Sequence, residues 1–316
     1  MLFSYNGRGY GNSFFLSLEK YWETNMNIIE TKNLCYSYSD EKLALDSINI
    51  AIPKGKITAV LGGNGAGKST LFLCLNGVLT PNKGEIFFDG QKVKYDKNGI
   101  LEMRKRVGIV FQDPNDQLFS SSVRKDISFG AINMGLGMEE VKSRVEQVIA
   151  QTGIGEYVDR PTHALSFGQK KRVAIAGVLV MKPEVIILDE PTAGLDPAGV
   201  SEILQLLTKI KDDTGVSVIL ATHEIDIVPI YCDYAYVMDY GKIVLEGNIN
   251  DILLIPDQLR THSLRLPRIA HLMEILKNTD YLDVDKTAAT ISAARKTVKK
   301  LISDTKQHVT EKGAIL

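Results

Sequence analysis

The sequence predicts an α/β fold built on a mostly parallel sheet, and three observations carry that reading. Short apolar runs rich in β-branched residues alternate with stretches whose apolar residues recur at helical spacing. A glycine-rich turn at residues 62–70 stands between a strand pattern and a helix pattern. A wholly apolar run, Val185-Ile186-Ile187-Leu188, ends in two carboxylates, Asp189 and Glu190, at the point where an open α/β sheet receives its ligand.

The elements follow in order. Residues 28–38 and 44–52 read as strands, the second turning at Pro53-Lys54-Gly55 into a third strand at 56–61. A helix runs from Lys68 to about Asn76 and stops at Gly77. Residues 84–89 and 106–112 are further strands. A helical insertion occupies roughly 115–180. Within it Val141, Val145, Val148 and Ile149 mark a helix over 138–151, ended by Gly153, and another helix starts at Ser166. Sheet character returns at 185–188 and 218–221, with a helix over 200–212 between them and a hairpin about Asp239-Tyr240-Gly241-Lys242. Beyond 250 the pattern is helical: Ile269, Leu272, Met273 and Leu276 share one face, as do Ile291, Ala294, Val298 and Leu301. Three segments result: a leader at 1–25, a main domain at 26–250 and a C-terminal helical extension at 251–316. The leader is aromatic and holds the only Trp. Met26 begins a sequence that reads as a domain start, so the leader is read as non-native, with a functional aromatic tail as the alternative.

Composition narrows the function. The 316 residues carry 37 basic and 38 acidic side chains, a balance that speaks against a dedicated nucleic-acid binder. Three scattered cysteines, Cys35, Cys74 and Cys232, match no metal or disulfide pattern and suit a reducing compartment. The longest apolar run, 173–181 with one glycine, is about half a membrane span, so no crossing of a membrane is expected.

Gly62-Gly63-Asn64-Gly65-Ala66-Gly67-Lys68-Ser69-Thr70 fits the phosphate-loop pattern G-x-x-x-x-G-K-[ST] in its required strand, loop, helix setting. Its glycines let main-chain N–H groups approach phosphate oxygens, and the helix start adds free donors and partial positive charge. Lys68 should reach the β- and γ-phosphates of a bound nucleoside triphosphate and Ser69 should ligate Mg²⁺. Asp189 is placed to hold Mg²⁺ through a water, and Glu190 to accept a proton from the attacking water. Ser166, Phe167, Gly168 and Gln169 form a second anion-binding feature, a capped helix start with an open glycine amide.

Taken with Ala193-Gly194-Leu195-Asp196, these motifs in this order resemble the nucleotide-binding subunit of ATP-binding-cassette (ABC) proteins over roughly residues 26–250. The resemblance implies a P-loop NTPase cassette: a RecA-like, mostly parallel sheet with an antiparallel β subdomain and a helical subdomain. It implies that Ser166–Gln169 caps the γ-phosphate on the opposite protomer, so that one chain carries halves of two active sites. It departs from the family's LSGGQ at Phe167. Tyr38 resembles the aromatic that stacks on adenine, with Tyr36 as rival. Gln112 resembles the glutamine that senses Mg²⁺ and the attacking water, Asp196 the acid that communicates across the dimer, and His223 the histidine that contacts the γ-phosphate. Residues 111–119, followed by Val123, Asp126, Ile127, Phe129-Gly130 and Asn133, are similar to ATPases of energy-coupling-factor (ECF) importers, nearest the cobalt-import type. Ala174-Ile175-Ala176-Gly177 and Leu266-Pro267 point the same way. The implied protein is an ATPase on the cytoplasmic face of the cell membrane, bound peripherally. It powers import of a metal ion, cobalt first, or of a vitamin. Its implied partners are a second ATPase, as a head-to-tail homodimer or as a heterodimer with a paralogue, a transmembrane coupling subunit and a substrate-binding membrane subunit, with no nucleic acid. The acids Asp113, Asp116 and Asp126 could meet basic coupling helices of that membrane subunit. The alternative is a soluble ABC ATPase acting on a ribosome or nucleic-acid complex.

Overall fold

The computed structural model describes residues 27–39, 42–262 and 264–313, with side chains as far as residue 304. The expectations for the leader and for Met26 lie outside the described residues. Two sheets organise the chain. The larger has six strands in the order β11-β10-β4-β9-β8-β7: β4 (Ile57–Leu61), β7 (Val107–Val110), β8 (Val185–Asp189), β9 (Ser217–Thr222) and β10 (Tyr234–Asp239) run parallel, and β11 (Lys242–Asn248) is antiparallel to β10. Its central strands are buried along their length, which is why they read as unbroken apolar runs. The smaller sheet is antiparallel, order β2-β1-β5-β6, from β1 (Asn27–Ser39), β2 (Lys42–Ile48), β5 (Lys83–Phe88) and β6 (Gln91–Lys92), with the short β3 (Ala51–Pro53) also on β1.

Helix α1 (Lys68–Leu75) packs between the sheets, and Phe72, Cys74 and Leu75 are fully buried in the core that joins them. Helices α3 (Val123–Asn133), α4 (Met138–Thr152) and α5 (Phe167–Leu179) form a helical layer whose apolar faces share a second core with β8, β9 and α6 (Pro197–Thr214). Helix α4 ends at Gly153 in a left-handed cap, as its sequence implies. Three short helices, α7 (Val228–Tyr231), α8 (Ile249–Leu253) and α9 (Pro256–Thr261), lead to α10 (Arg268–Asn278) and α11 (Ile291–Gly313). His262, at the end of α9, bonds through Nδ1 to Asp239 at the end of β10, 3.0 Å away, and so ties the extension to the sheet.

Several expectations are corrected. The strand read over 44–52 is two strands. Ser47 takes a positive φ of 56° and the break is filled by Thr31, whose hydroxyl donates to the Ile48 carbonyl and accepts from the Ile50 amide. The strand read over 106–112 is only β7. Arg106 instead ends helix α2 (Lys97–Arg106), which Asp96 caps by accepting from the Gly99 amide at 2.7 Å, and whose last turn carries Arg104, Lys105 and Arg106 where the helix dipole favours cations. In α10, Met273 is buried but Leu272 is 48% exposed, so Leu272 leaves the shared face. In α11, Ala294 and Leu301 pack against the small core of Met273, Val284 and Ala288, while Ile291 is 75% exposed ahead of the first packed turn. Asp126 is no surface acid. It is buried, and its Oδ2 accepts from the Phe119 amide at 3.0 Å and the Ser120 amide at 2.7 Å. Among the described residues no helix is long and apolar enough to cross a membrane.

Candidate nucleotide site

Parallel pairing delivers the site. Leu61 stands opposite Thr222 across β4 and β9, and Ala221 opposite Asp189 across β9 and β8. The residues that follow, Gly62, His223 and Glu190, therefore leave the sheet side by side at its carboxyl edge, the edge where α/β folds bind ligands. Beside them lies a cavity of about 480 Å³ lined by Tyr38, Lys42, Leu43, Ala44, Asn64–Thr70, Gln112, Asp189, Glu190, Tyr240 and Gly241.

The loop is held open by its backbone. Gly67 precedes α1 at a φ of 103°, and a Cβ there would lie 2.6 Å from the Ala44 carbonyl oxygen, so neither the angle nor the space admits a side chain. The Lys68 Nζ folds back over the loop and donates to the Gly62 and Gly63 carbonyls at 2.8 and 3.1 Å, keeping a buried ammonium at the cavity wall. Ser69 Oγ donates to Asp189 Oδ2 at 2.5 Å. Among the described residues no cluster of three or more His, Cys, Asp or Glu could hold a metal ion. The donor set at Ser69, Asp189 and Gln112 suits instead a hard cation that keeps phosphate and water ligands, as Mg²⁺ does.

Glu190 adopts a positive φ of 46°, a left-handed conformation that costs a non-glycine residue about 1–3 kcal/mol. It is 8% exposed, and His223 Nδ1 lies 2.6 Å from its Oε2. Tyr38 is 65% exposed at the cavity mouth. Its hydroxyl is 3.2 Å from Thr70 Oγ1, and its ring meets Tyr36 edge-on with centroids 5.0 Å apart. Tyr38, not Tyr36, faces the cavity.

Ser166–Gln169 does not line this cavity. Ser166 caps α5 as expected: its hydroxyl accepts from the Gln169 amide at 3.3 Å while the Gln169 side chain accepts from the Ser166 amide at 2.9 Å. The Phe167 ring lies over Gly194, where a Cβ would come within 2.9 Å of Cε1, so the glycine makes room for the residue that departs from the family pattern. Asp196 caps α6, accepting from the Gly199 amide at 2.7 Å.

Lys171 carried no signal in the sequence, because a lysine five residues into an amphipathic helix ordinarily faces solvent. Here it is 0% exposed, and its ammonium donates to the main-chain carbonyls of Gln112 and, at 3.3 Å, Glu190. Burial pulls its pKa down to about 8, against the pull of Asp113, Asp189 and Glu190. A buried ammonium costs several kcal/mol that an apolar side chain of the same size would not.

A second cavity, about 380 Å³, opens between the sheet and the helical layer, with Phe111, Phe119, Phe129, Leu118 and Met181 on its walls. Phe119 and Phe129 are exposed and meet edge-on, centroids 4.7 Å apart.

The chain matches the ABC transporter family model over residues 45–193. It is 54% identical over 271 residues, covering 86% of this chain and 95% of the relative, to an energy-coupling factor transporter ATP-binding protein, EcfA3, of Clostridium perfringens. It is 49% identical over 260 residues, 82% of this chain and 93% of the relative, to EcfA of Methanocaldococcus jannaschii. Among solved structures it resembles cbiO1 of Clostridium perfringens, part of the ABC transporter complex cbiONQ, with 55% identity, a TM-score of 0.70, and 79% of this chain and 99% of the other covered. It also resembles a dimeric ATP-binding cassette, MJ0796, bound to ADP and phosphate after hydrolysis, with 26% identity, a TM-score of 0.62, and 70% and 98% covered.

Proposed function

The chain belongs to the ABC transporter ATPases, an ATP-binding family that couples hydrolysis to transport, and from that premise we propose that it is the motor of an ECF-type importer. Its cargo is a metal ion, cobalt first, or a vitamin. The observation that carries the proposal is the gathering of Lys68, Ser69, Gln112, Asp189 and Glu190 around one cavity while Ser166–Gln169 stands apart from it. The Clostridium relative named as an energy-coupling factor transporter ATP-binding protein and the likeness to a subunit of the ABC transporter complex cbiONQ support the ECF type.

In this reading residues 26–250 form the cassette and 251–316 a helical extension. The loop 62–70 holds the ATP phosphates, Lys68 meets the β- and γ-phosphates, and Tyr38 stacks on the base. Ser69, Gln112 and Asp189, the last through a water, would hold Mg²⁺, which would neutralise charge on the phosphates. Glu190 takes the proton of the attacking water, and His223, whose Nδ1 stands beside the Glu190 carboxylate, meets the γ-phosphate. Ser166, Phe167, Gly168 and Gln169 cap the nucleotide of a second chain, with Asp196 at the seam. Two chains, identical or paralogous, meet head to tail and close over two ATP molecules. Moving an open/closed balance from 1:99 to 99:1 takes about 5.5 kcal/mol of differential binding, which two capped γ-phosphates can supply. The groove walled by Phe111, Phe119 and Phe129 is the place for a coupling subunit at the cytoplasmic face of the membrane, beside a substrate-binding membrane subunit. The exposed Asp113 and Asp116 lie close to it in sequence.

The test is uptake. Proteoliposomes holding this chain with its co-purifying membrane subunits should take up labelled Co²⁺, or failing that a vitamin, only with ATP, and Glu190→Gln should abolish the uptake. A chain that co-purifies with ribosomes or nucleic acid and with no membrane subunit would contradict the proposal.

A further inference from the structure

Lys171 is a buried cation whose donors are spent on main-chain oxygens rather than on a carboxylate. Both oxygens belong to residues of the proposed hydrolytic site, Gln112 and Glu190. The Glu190 carbonyl also accepts from the Ala193 amide at 3.1 Å, so the ammonium completes the bonding of a residue whose backbone is held in a left-handed conformation. The same lysine grows from α5, the helix that Ser166 starts, and its Nζ lies 5.7 Å from the centre of the Phe167 ring. That ring in turn rests on Gly194, two residues before Asp196. Neighbouring bonds tighten the same joint: Lys170 donates to Asn115 Oδ1 at 2.7 Å, and Gln117 donates to the Ala174 carbonyl at 3.3 Å while accepting from the Phe111 amide at 3.1 Å.

We propose that Lys171 is a positioning residue that ties the main chain of Gln112 and Glu190 to the helix presenting Ser166–Gln169 and so holds the hydrolytic residues in place for turnover. The inference rests on the hydrolytic reading of Glu190 given above. An apolar side chain would fill the same volume without the cost of a buried charge, but it would leave both carbonyls without this donor and free Glu190 to relax from its left-handed backbone. Nucleotide binding depends on the loop 62–70, which Lys171 does not touch. Its loss should therefore act on turnover and spare affinity. Phe167 adds the second contact: it presents a ring face to the ammonium, where the family's glycine offers none.

The test uses the full chain assembled with its membrane subunits. Lys171→Met keeps the volume and removes the donor. Its kcat for ATP should fall at least tenfold, with KM for MgATP within threefold of wild type, and Lys171→Arg should recover kcat to within threefold. Amide exchange at Ala193, which needs no turnover, should speed up at least tenfold in Lys171→Met. A kcat within twofold of wild type, a rise in KM matching the loss in kcat, or unchanged exchange at Ala193 would each overturn the inference. Should Lys171→Met not fold, Lys171→Gln reads the same split, and failure of both to fold would make Lys171 a residue of the fold alone, against the proposal. A wild-type chain that binds no MgATP would defeat the functional reading itself, whereas normal wild-type turnover beside an undiminished Lys171→Met would defeat this inference only.

Discussion

Replacing Glu190 by Gln changes one carboxylate oxygen into an amide nitrogen at a position 8% exposed, with His223 Nδ1 2.6 Å from Oε2. The amide keeps the size and shape of the carboxylate beside His223, so side chain and strained backbone should hold their places. The cost in stability is the difference between a polar contact of His223 with a charged group and one with a neutral group, about 1 kcal/mol. The cost in rate is the loss of general-base help, about 10²- to 10⁴-fold, or roughly 3–5 kcal/mol on the barrier. Because the barrier term exceeds the stability term several-fold, the variant should fold, bind MgATP with affinity within about threefold of wild type, and release phosphate at least about a hundredfold more slowly. Phosphate release at saturating MgATP, measured beside the affinity for a fluorescent nucleotide, separates the two. Turnover within about threefold of wild type would refute the role of Glu190, and a parallel loss of binding would refute the claim that its side chain is dispensable for structure.

Other perturbations read other parts of the site. Lys68→Ala removes the ammonium held over the loop by the Gly62 and Gly63 carbonyls and should cut nucleotide affinity at least about tenfold, the loss expected where a charge-assisted contact of about 1.5–3 kcal/mol disappears; titration with labelled ATP measures it. Gly67→Ala imposes a Cβ 2.6 Å from a main-chain oxygen at a φ of 103° and should destabilise the chain by about 2–4 kcal/mol, part left-handed backbone and part overpacking, as urea unfolding would show. Asp126→Ala leaves the Phe119 and Ser120 amides without their acceptor and should cost about 2–4 kcal/mol of stability, with nucleotide affinity unchanged.

The parts of the fold that hold the phosphate loop were open to sequence reading because their signals are local. The run 185–190 and the loop 62–70 each place backbone and chemistry in one stretch, and the central strands, buried on both faces, leave unbroken apolar runs. What escaped depends on distant partners. Helix α2 is hydrophilic, with Met103 its only buried residue, so periodicity is silent and only the Asp96 cap and the basic last turn announce it. The break near Ser47 is made good by Thr31, sixteen positions earlier, which no window on the strand contains. Asp126 looks like a surface acid until the Phe119–Ser120 turn folds over it. Lys171 is hidden for the same reason: its burial depends on Gln112 and Glu190 arriving from beyond the ends of β7 and β8.

The central claim is that the cavity at Gly62–Thr70 is one half of a site whose other half, Ser166–Gln169, lies on a second chain. The most direct measurement is the mass in solution of the Glu190→Gln chain, alone or with its paralogue where one co-purifies, with and without MgATP. The account predicts a monomer that becomes a dimer when MgATP is added, and a return to monomer when Ser166→Glu, which sets a negative charge where the opposing γ-phosphate would sit, is introduced into the same chain. A Glu190→Gln chain that binds MgATP and stays monomeric, or a dimer indifferent to Ser166→Glu, would contradict it.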